Sequence, residues 1–159
     1  MKITVIAVGK IKERYFTGAI EEYAKRLSRF CRLDIVEVAD EKTPDGAGAA
    51  QELKIREREG ARILQKLPAG SYVIALAIDG KQPDSVELSR QMERWNVDGI
   101  SHLTFLIGGS LGLSPEVLDR ADERLSFSRM TFPHQLMRVI LLEQIYRSYM
   151  IRSGAPYHK

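Results

Sequence analysis

At 159 residues, with 44% hydrophobic and 28% charged side chains, the chain is long enough to bury a core of its own and is not the composition of a disordered or fibrous protein. Twenty-four basic against 21 acidic residues leave a formal net charge of +3, which excludes a dense polybasic tail, so a nucleic-acid partner has to be met by local clusters. Cys31 is the only cysteine, which excludes an intramolecular disulfide and a cysteine-ligated metal or cluster.

His102, His134 and His158 lie far apart and lack the spacing of common metal motifs, so no metal is expected. No run of about 18 apolar residues occurs, and no membrane span is expected. The short apolar run after Met1-Lys2 meets Lys10 and Lys12, the wrong flanks for a secretory signal, and the expected location is the cytoplasm.

In chain order, residues 3–8 form a continuous apolar, β-branched-rich run ending at Gly9, the pattern of a strand buried on both faces. Residues 16–30 read as a helix, with Ile20, Tyr23, Ala24, Leu27 and Phe30 at helical spacing. Strands over 33–38, 72–78 and 102–107 then alternate with helices over 49–67 and 85–95. A short helix over 115–121 starts at the N-cap Ser114 with Pro115 in first position, and a short strand over 125–127 precedes a last helix that runs almost to the C-terminus. The repeat predicts one α/β domain over 1–159, a parallel-type sheet flanked by helices. Residues 41–50, with Pro44, Gly46 and Gly48, read as the one flexible connection.

The last helix is apolar on two sides. Val139, Leu142, Ile145, Tyr146, Tyr149 and Met150 make one face, while Leu136, Met137, Ile140, Leu141 and Ile151 lie on the other. One side can pack on the sheet, and the other calls for a partner, so a homodimer is expected.

Two turns at strand ends carry the candidate chemistry, because ligands of α/β folds bind where strand ends leave backbone amides and carbonyls open. They are 106–112, Leu-Ile-Gly-Gly-Ser-Leu-Gly, and 125–132, Leu-Ser-Phe-Ser-Arg-Met-Thr-Phe. The first matches the nucleophile elbow G-x-S-x-G, and Ser110 followed by Asp119 or Asp122 and then His134 has the hydrolase order, so a small serine hydrolase is the alternative function. Against it, Gly112-Leu113-Ser114-Pro115 stand where the helix should already begin. A dinucleotide fingerprint fails because Ser110 occupies the place of its second glycine, and neither Gly9-Lys10 nor Gly80-Lys81 has the earlier glycine of a P-loop.

Through these residues the chain resembles the ribosomal RNA large subunit methyltransferase H family of the SPOUT superfamily. The similar stretches are 5–10, Glu22-Tyr23, 106–109 with 112–114, 128–134, 143–147 and Pro156-Tyr157-His158. The resemblance implies an α/β fold whose C-terminal segment forms a trefoil knot. It implies transfer of a methyl group from S-adenosyl-L-methionine to N3 of a pseudouridine in 23S rRNA, on the assembled ribosome. Carried over by position, it implies that Leu76, Gly108 and Phe127, Ser128, Arg129, Met130, Thr131 and Phe132 bind the cofactor. Around the acceptor base it implies His158 as a base or hydrogen-bond partner, Tyr157 for stacking or hydrogen bonding, and Glu143 and Arg147 for positioning. The basic candidates for rRNA are Lys10, Lys12, Arg14, Arg26, Arg29, Arg32, Arg147 and Arg152. A non-catalytic RNA-binding protein of the same fold is the remaining alternative.

Overall fold

Ile3, Val5, Ile6, Ala7 and Val8 are all at most 1% exposed, which is possible only for a strand with partners on both edges and cover on both faces. The structure, a computed structural model, describes residues 1–159 and places this strand, β1 (Lys2–Val8), inside a five-stranded sheet. The other strands are β2 (Arg32–Val38), β3 (Tyr72–Lys81), β4 (His102–Ile107) and β5 (Glu123–Leu125). All pairings are parallel, in the order β2-β1-β4-β3-β5.

Alternate side chains of β1 feed two cores. Ile3, Val5 and Ala7 join Leu27 of α1 (Arg14–Leu27), Leu88 and Met92 of α3 (Ser85–Val97), and Leu141, Leu142 and Ile145 of α5 (His134–Arg152). Ile6 and Val8 join Ile63 of α2 (Ala49–Lys66) and Val117 of α4 (Pro115–Arg120) on the opposite face. Each such aliphatic side chain removed from water contributes about 1.5–3 kcal/mol, so both helical layers are tied to the same central strand.

Four boundaries differ from the sequence expectation. Helix α1 starts at Arg14 and stops at Leu27, because the amides of Phe30 and Cys31 both turn back to the Leu27 carbonyl and Phe30 leaves to stack on Tyr149, ring centroids 5.2 Å apart. Strand β3 continues to Lys81, past the end of the central strands, where Lys81 pairs with Leu125 beyond a bulge. There Gly80 lies so close to β5 that a Cβ would sit 2.7 Å from the carbonyl carbon of Arg124 and the amide of Leu125. Strand β5 is 123–125, not 125–127, and the stretch after Leu125 is free to line a cavity.

Helix α5 is buried along Arg138, Leu141, Leu142, Ile145 and Ser148, a row that takes members from both expected faces. Arg138 explains the offset. Its Nη1 donates to Glu37 Oε2 at 2.6 Å and its Nη2 to the carbonyl oxygen of Gly9 at 2.5 Å, so the start of the helix is bolted to the carboxyl ends of β1 and β2. The same rotation leaves Leu136, Val139, Ile140 and Met150 half-exposed and outside both cores.

Candidate active site

The two turns read from the sequence meet at the carboxyl ends of β3, β4 and β5, with the first turn of α5 closing the third side. Between them lies a cavity of about 680 Å³, within the range of about 300–1,000 Å³ usual for small-molecule sites. Leu76, Gly108, Phe127, Ser128, Met130, Thr131 and Phe132 all line it, and of the residues expected at a cofactor only Arg129, which is exposed, does not. No Asp, Glu, Lys or Arg side chain lines it.

One wall carries backbone amides without partners inside the chain. From 127 to 132 the only amide with a partner inside the chain is that of Met130, which donates to Ser128 Oγ at 2.9 Å. Amides left open beside an apolar cavity call for an external acceptor. Ser126 fixes the wall at its start, its amide donating to the Lys81 carbonyl and its hydroxyl to the Ser128 carbonyl.

The opposite wall is the glycine turn. Gly112, with φ +84°, allows the chain to fold back so that its amide donates to the Gly109 carbonyl. A Cβ at Gly108 would stand 2.6 Å from the carbonyl carbon of Gly112. The room left at Gly108 is therefore filled by the turn itself.

Sequence reasoning gave His134 only to the hydrolase alternative and missed Gln135 and Met137; all three line the cavity from the start of α5. Their signal was position alone, as the first residues of a helix that begins where the cavity loop ends. Burial first, and then the Arg138 charge, hold the His134 imidazole below its usual range, so the ring is neutral at pH 7, and its Nδ1 has no partner. That disposes of the hydrolase constellation. Ser110 and His134 share the cavity, but Asp122 is spent on the Val73 amide and Asp119 pairs with Arg124, so no carboxylate orients the histidine.

The four residues expected around the acceptor base also come together, but elsewhere. Glu143 Oε1 accepts from Arg147 Nε and Nη2 at 2.9 and 2.6 Å and from Tyr157 Oη at 3.0 Å. Arg147 Nη1 lies 3.0 Å from His158 Nδ1. A guanidinium can only donate, so Nδ1 carries the lone pair and the proton of the neutral ring sits on Nε2. The Tyr157 ring packs edge-on against Tyr146 and under the Arg147 guanidinium, which holds the tail on its own helix. Burial and the Glu143 hydrogen bond push the Tyr157 phenol up to about 12, so it stays protonated. Arg147 lies ten positions after Met137, about 15 Å along the helix, so the tail cluster stands over the middle of α5, past the part that lines the cavity.

Residues 1–158 match the family described as "Predicted SPOUT methyltransferase". Curated relatives each 58% identical over 159 residues, covering the whole of both chains, are the ribosomal RNA large subunit methyltransferases H of Bifidobacterium animalis subsp. lactis, Clostridium novyi and Clostridioides difficile. The solved structure of a probable methylase family protein from Haemophilus influenzae Rd KW20 aligns with a TM-score of 0.47 at 10% identity, over 96% of this chain and 66% of that chain. With a match along essentially its full length and relatives this similar, the chain belongs to the SPOUT methyltransferases, in the ribosomal RNA large subunit methyltransferase H family.

Proposed function

We propose that this protein, one domain acting as a homodimer in the cytoplasm, transfers the methyl group of S-adenosyl-L-methionine to N3 of a pseudouridine in 23S rRNA on the ribosome. The observation that carries the reading is the wall of open amides at 127–132 beside an apolar cavity, in a chain whose relatives are named for methylation of large-subunit rRNA. The cofactor supplies an already activated methyl group. Leu76, Phe127 and their neighbours supply the apolar walls for its adenine, and the 127–132 amides the donors for the ring edge.

At the other end, Glu143 and Arg147 hold Tyr157 and His158 in a fixed geometry, and most of the rate comes from orientation. His158 Nδ1 takes the N3 proton when it exchanges its contact with Arg147 Nη1 for the acceptor base, Tyr157 staying bonded to Glu143. Because the two halves lie about 15 Å apart along one helix, the tail of one copy completes the cavity of the other. The half-exposed row Leu136, Val139, Ile140 and Met150, paired with itself about a two-fold axis, supports that dimer. The trefoil knot of the family belongs to the same proposal, with the tight crossing of Gly80 over 124–125 in its support.

Labelled S-adenosyl-L-methionine incubated with ribosomes lacking the modification tests the reading. Label at N3 of a pseudouridine in 23S rRNA is the expected result, and label on another base, or none, overturns it.

A further inference from the structure

Outside the cavity and the tail cluster, a hollow of about 580 Å³ between the 41–48 connection and the first half of α2 is lined by three cations and one acid. Glu59 sets the height of α2, because its carboxyl lies against the Gly109 backbone, with Oε1 3.2 Å from where a Cβ would stand. The ten residues before it, about 15 Å of helix, therefore overhang the carboxyl edge of the sheet, on the side where the cavity opens.

Three cations face this hollow, Lys42 from the connection and Lys54 and Arg58 one turn apart on α2, all exposed. The one acid in the lining, Glu41, is already neutralised: its carboxylate takes Arg62 Nη2 at 2.8 Å, and its amide is held by Glu59 Oε2 at 2.9 Å. Lys42, Lys54 and Arg58 have no carboxylate within 4.0 Å. An i,i+4 acid stabilises a surface cation on a helix, and a like charge at that spacing destabilises it by a similar amount. Here Lys54 and Arg58 stand i,i+4 to each other, a repulsive arrangement that an anion relieves. Strand β2, which leads into the connection, is two strand spacings, about 10 Å, from β4 beneath the cavity. Between them β1 leads into the loop of Lys10 and Lys12.

Resting on the rRNA reading above, we propose that Lys42, Lys54 and Arg58 form a phosphodiester-binding site that holds the rRNA strand beside the nucleotide whose base enters the cavity. The site carries charge but no base-reading geometry, so it contributes affinity and register and leaves sequence selection to the cavity.

The test is the triple variant Lys42→Ala, Lys54→Ala, Arg58→Ala, assayed with unmodified ribosomes at several salt concentrations. Cofactor affinity by calorimetry should match the parent. KM for ribosomes should rise about tenfold, and the slope of log affinity against log salt should flatten by about 0.7 for each phosphate that is no longer neutralised. The pair Lys54→Arg, Arg58→Lys should restore both. A benzophenone on Lys54→Cys, with Cys31 buried and unreactive, should crosslink to rRNA. An unchanged KM and slope in a variant of an active parent overturns the site alone, as does a loss of affinity with the slope unchanged. A crosslink to a ribosomal protein replaces RNA with an acidic protein partner and overturns it too. A parent that transfers no methyl to ribosomes removes the rRNA reading and the site with it.

Discussion

Glu59 is 4% exposed, has one oxygen without a partner, and sits where the 41–48 connection meets the glycine turn. Burial raises its carboxyl above the usual range, the Asp40 charge adds, and the Glu41 amide and Arg62 oppose. A carboxyl raised in the folded state contributes stability that is complete below its unfolded value and is lost as pH rises through the folded one. Glu59→Gln keeps an oxygen for the Glu41 amide and never charges. Its melting temperature relative to the parent should therefore climb as pH goes from about 4 to about 8; a constant difference would mean that folding leaves the Glu59 proton affinity unchanged. In the tail, Tyr157→Phe removes one donor to Glu143, a bond of about 1 kcal/mol. A fall in kcat with calorimetric cofactor affinity unchanged is expected, and equal losses in both would place Tyr157 in the cofactor site.

At the scale of elements, every strand and helix was legible because the apolar period changes each time the chain passes from strand to helix, as from residues 3–8 to Ile20, Tyr23 and Leu27. What periodicity could not supply was the rotation of α5. Its helix is apolar nearly all round, so the inward row is chosen by a polar contact, the seat of Arg138 on the Gly9 carbonyl and Glu37. Nor could spacing place Phe127 on a cavity wall, since 125–127 has the composition of a strand while β3 offers a partner only as far as the Ser126 amide. The cavity's two turns could be read as loops at strand ends; their convergence depends on β3 and β4 being neighbours. Ile140→Asp tests the outward row. Light scattering should shift from dimer to monomer with the far-ultraviolet spectrum unchanged, and a persistent dimer would move the interface off α5.

At the scale of the molecule, a site shared between copies has a signature that no single variant shows. Leu76→Trp fills the cavity, and His158→Ala disables the tail. Each alone should be inactive. Mixed in equal amounts after subunit exchange, half the dimers pair one of each, and one of their two sites is intact, so activity should return to about a quarter of the parent's. No recovery, with exchange verified, would place cavity and tail in the same copy. In one copy Tyr157 and His158 are held on their own helix by Glu143 and Arg147, about 15 Å along the helix from Met137 at the edge of the cavity.

The absence of any charged side chain from the cavity lining has a consequence for turnover. In the proposed transfer, donor and spent thioether differ by one methyl and one positive charge, and a pocket of neutral walls and peptide groups has little with which to tell them apart. The demethylated nucleoside should therefore compete at a dissociation constant within about tenfold of the donor's, so that velocity in a cell tracks the ratio of the two rather than the donor concentration. Titrating S-adenosylhomocysteine into the enzyme checks this, and binding more than a hundredfold weaker would mean that an anionic group from elsewhere faces the sulfur.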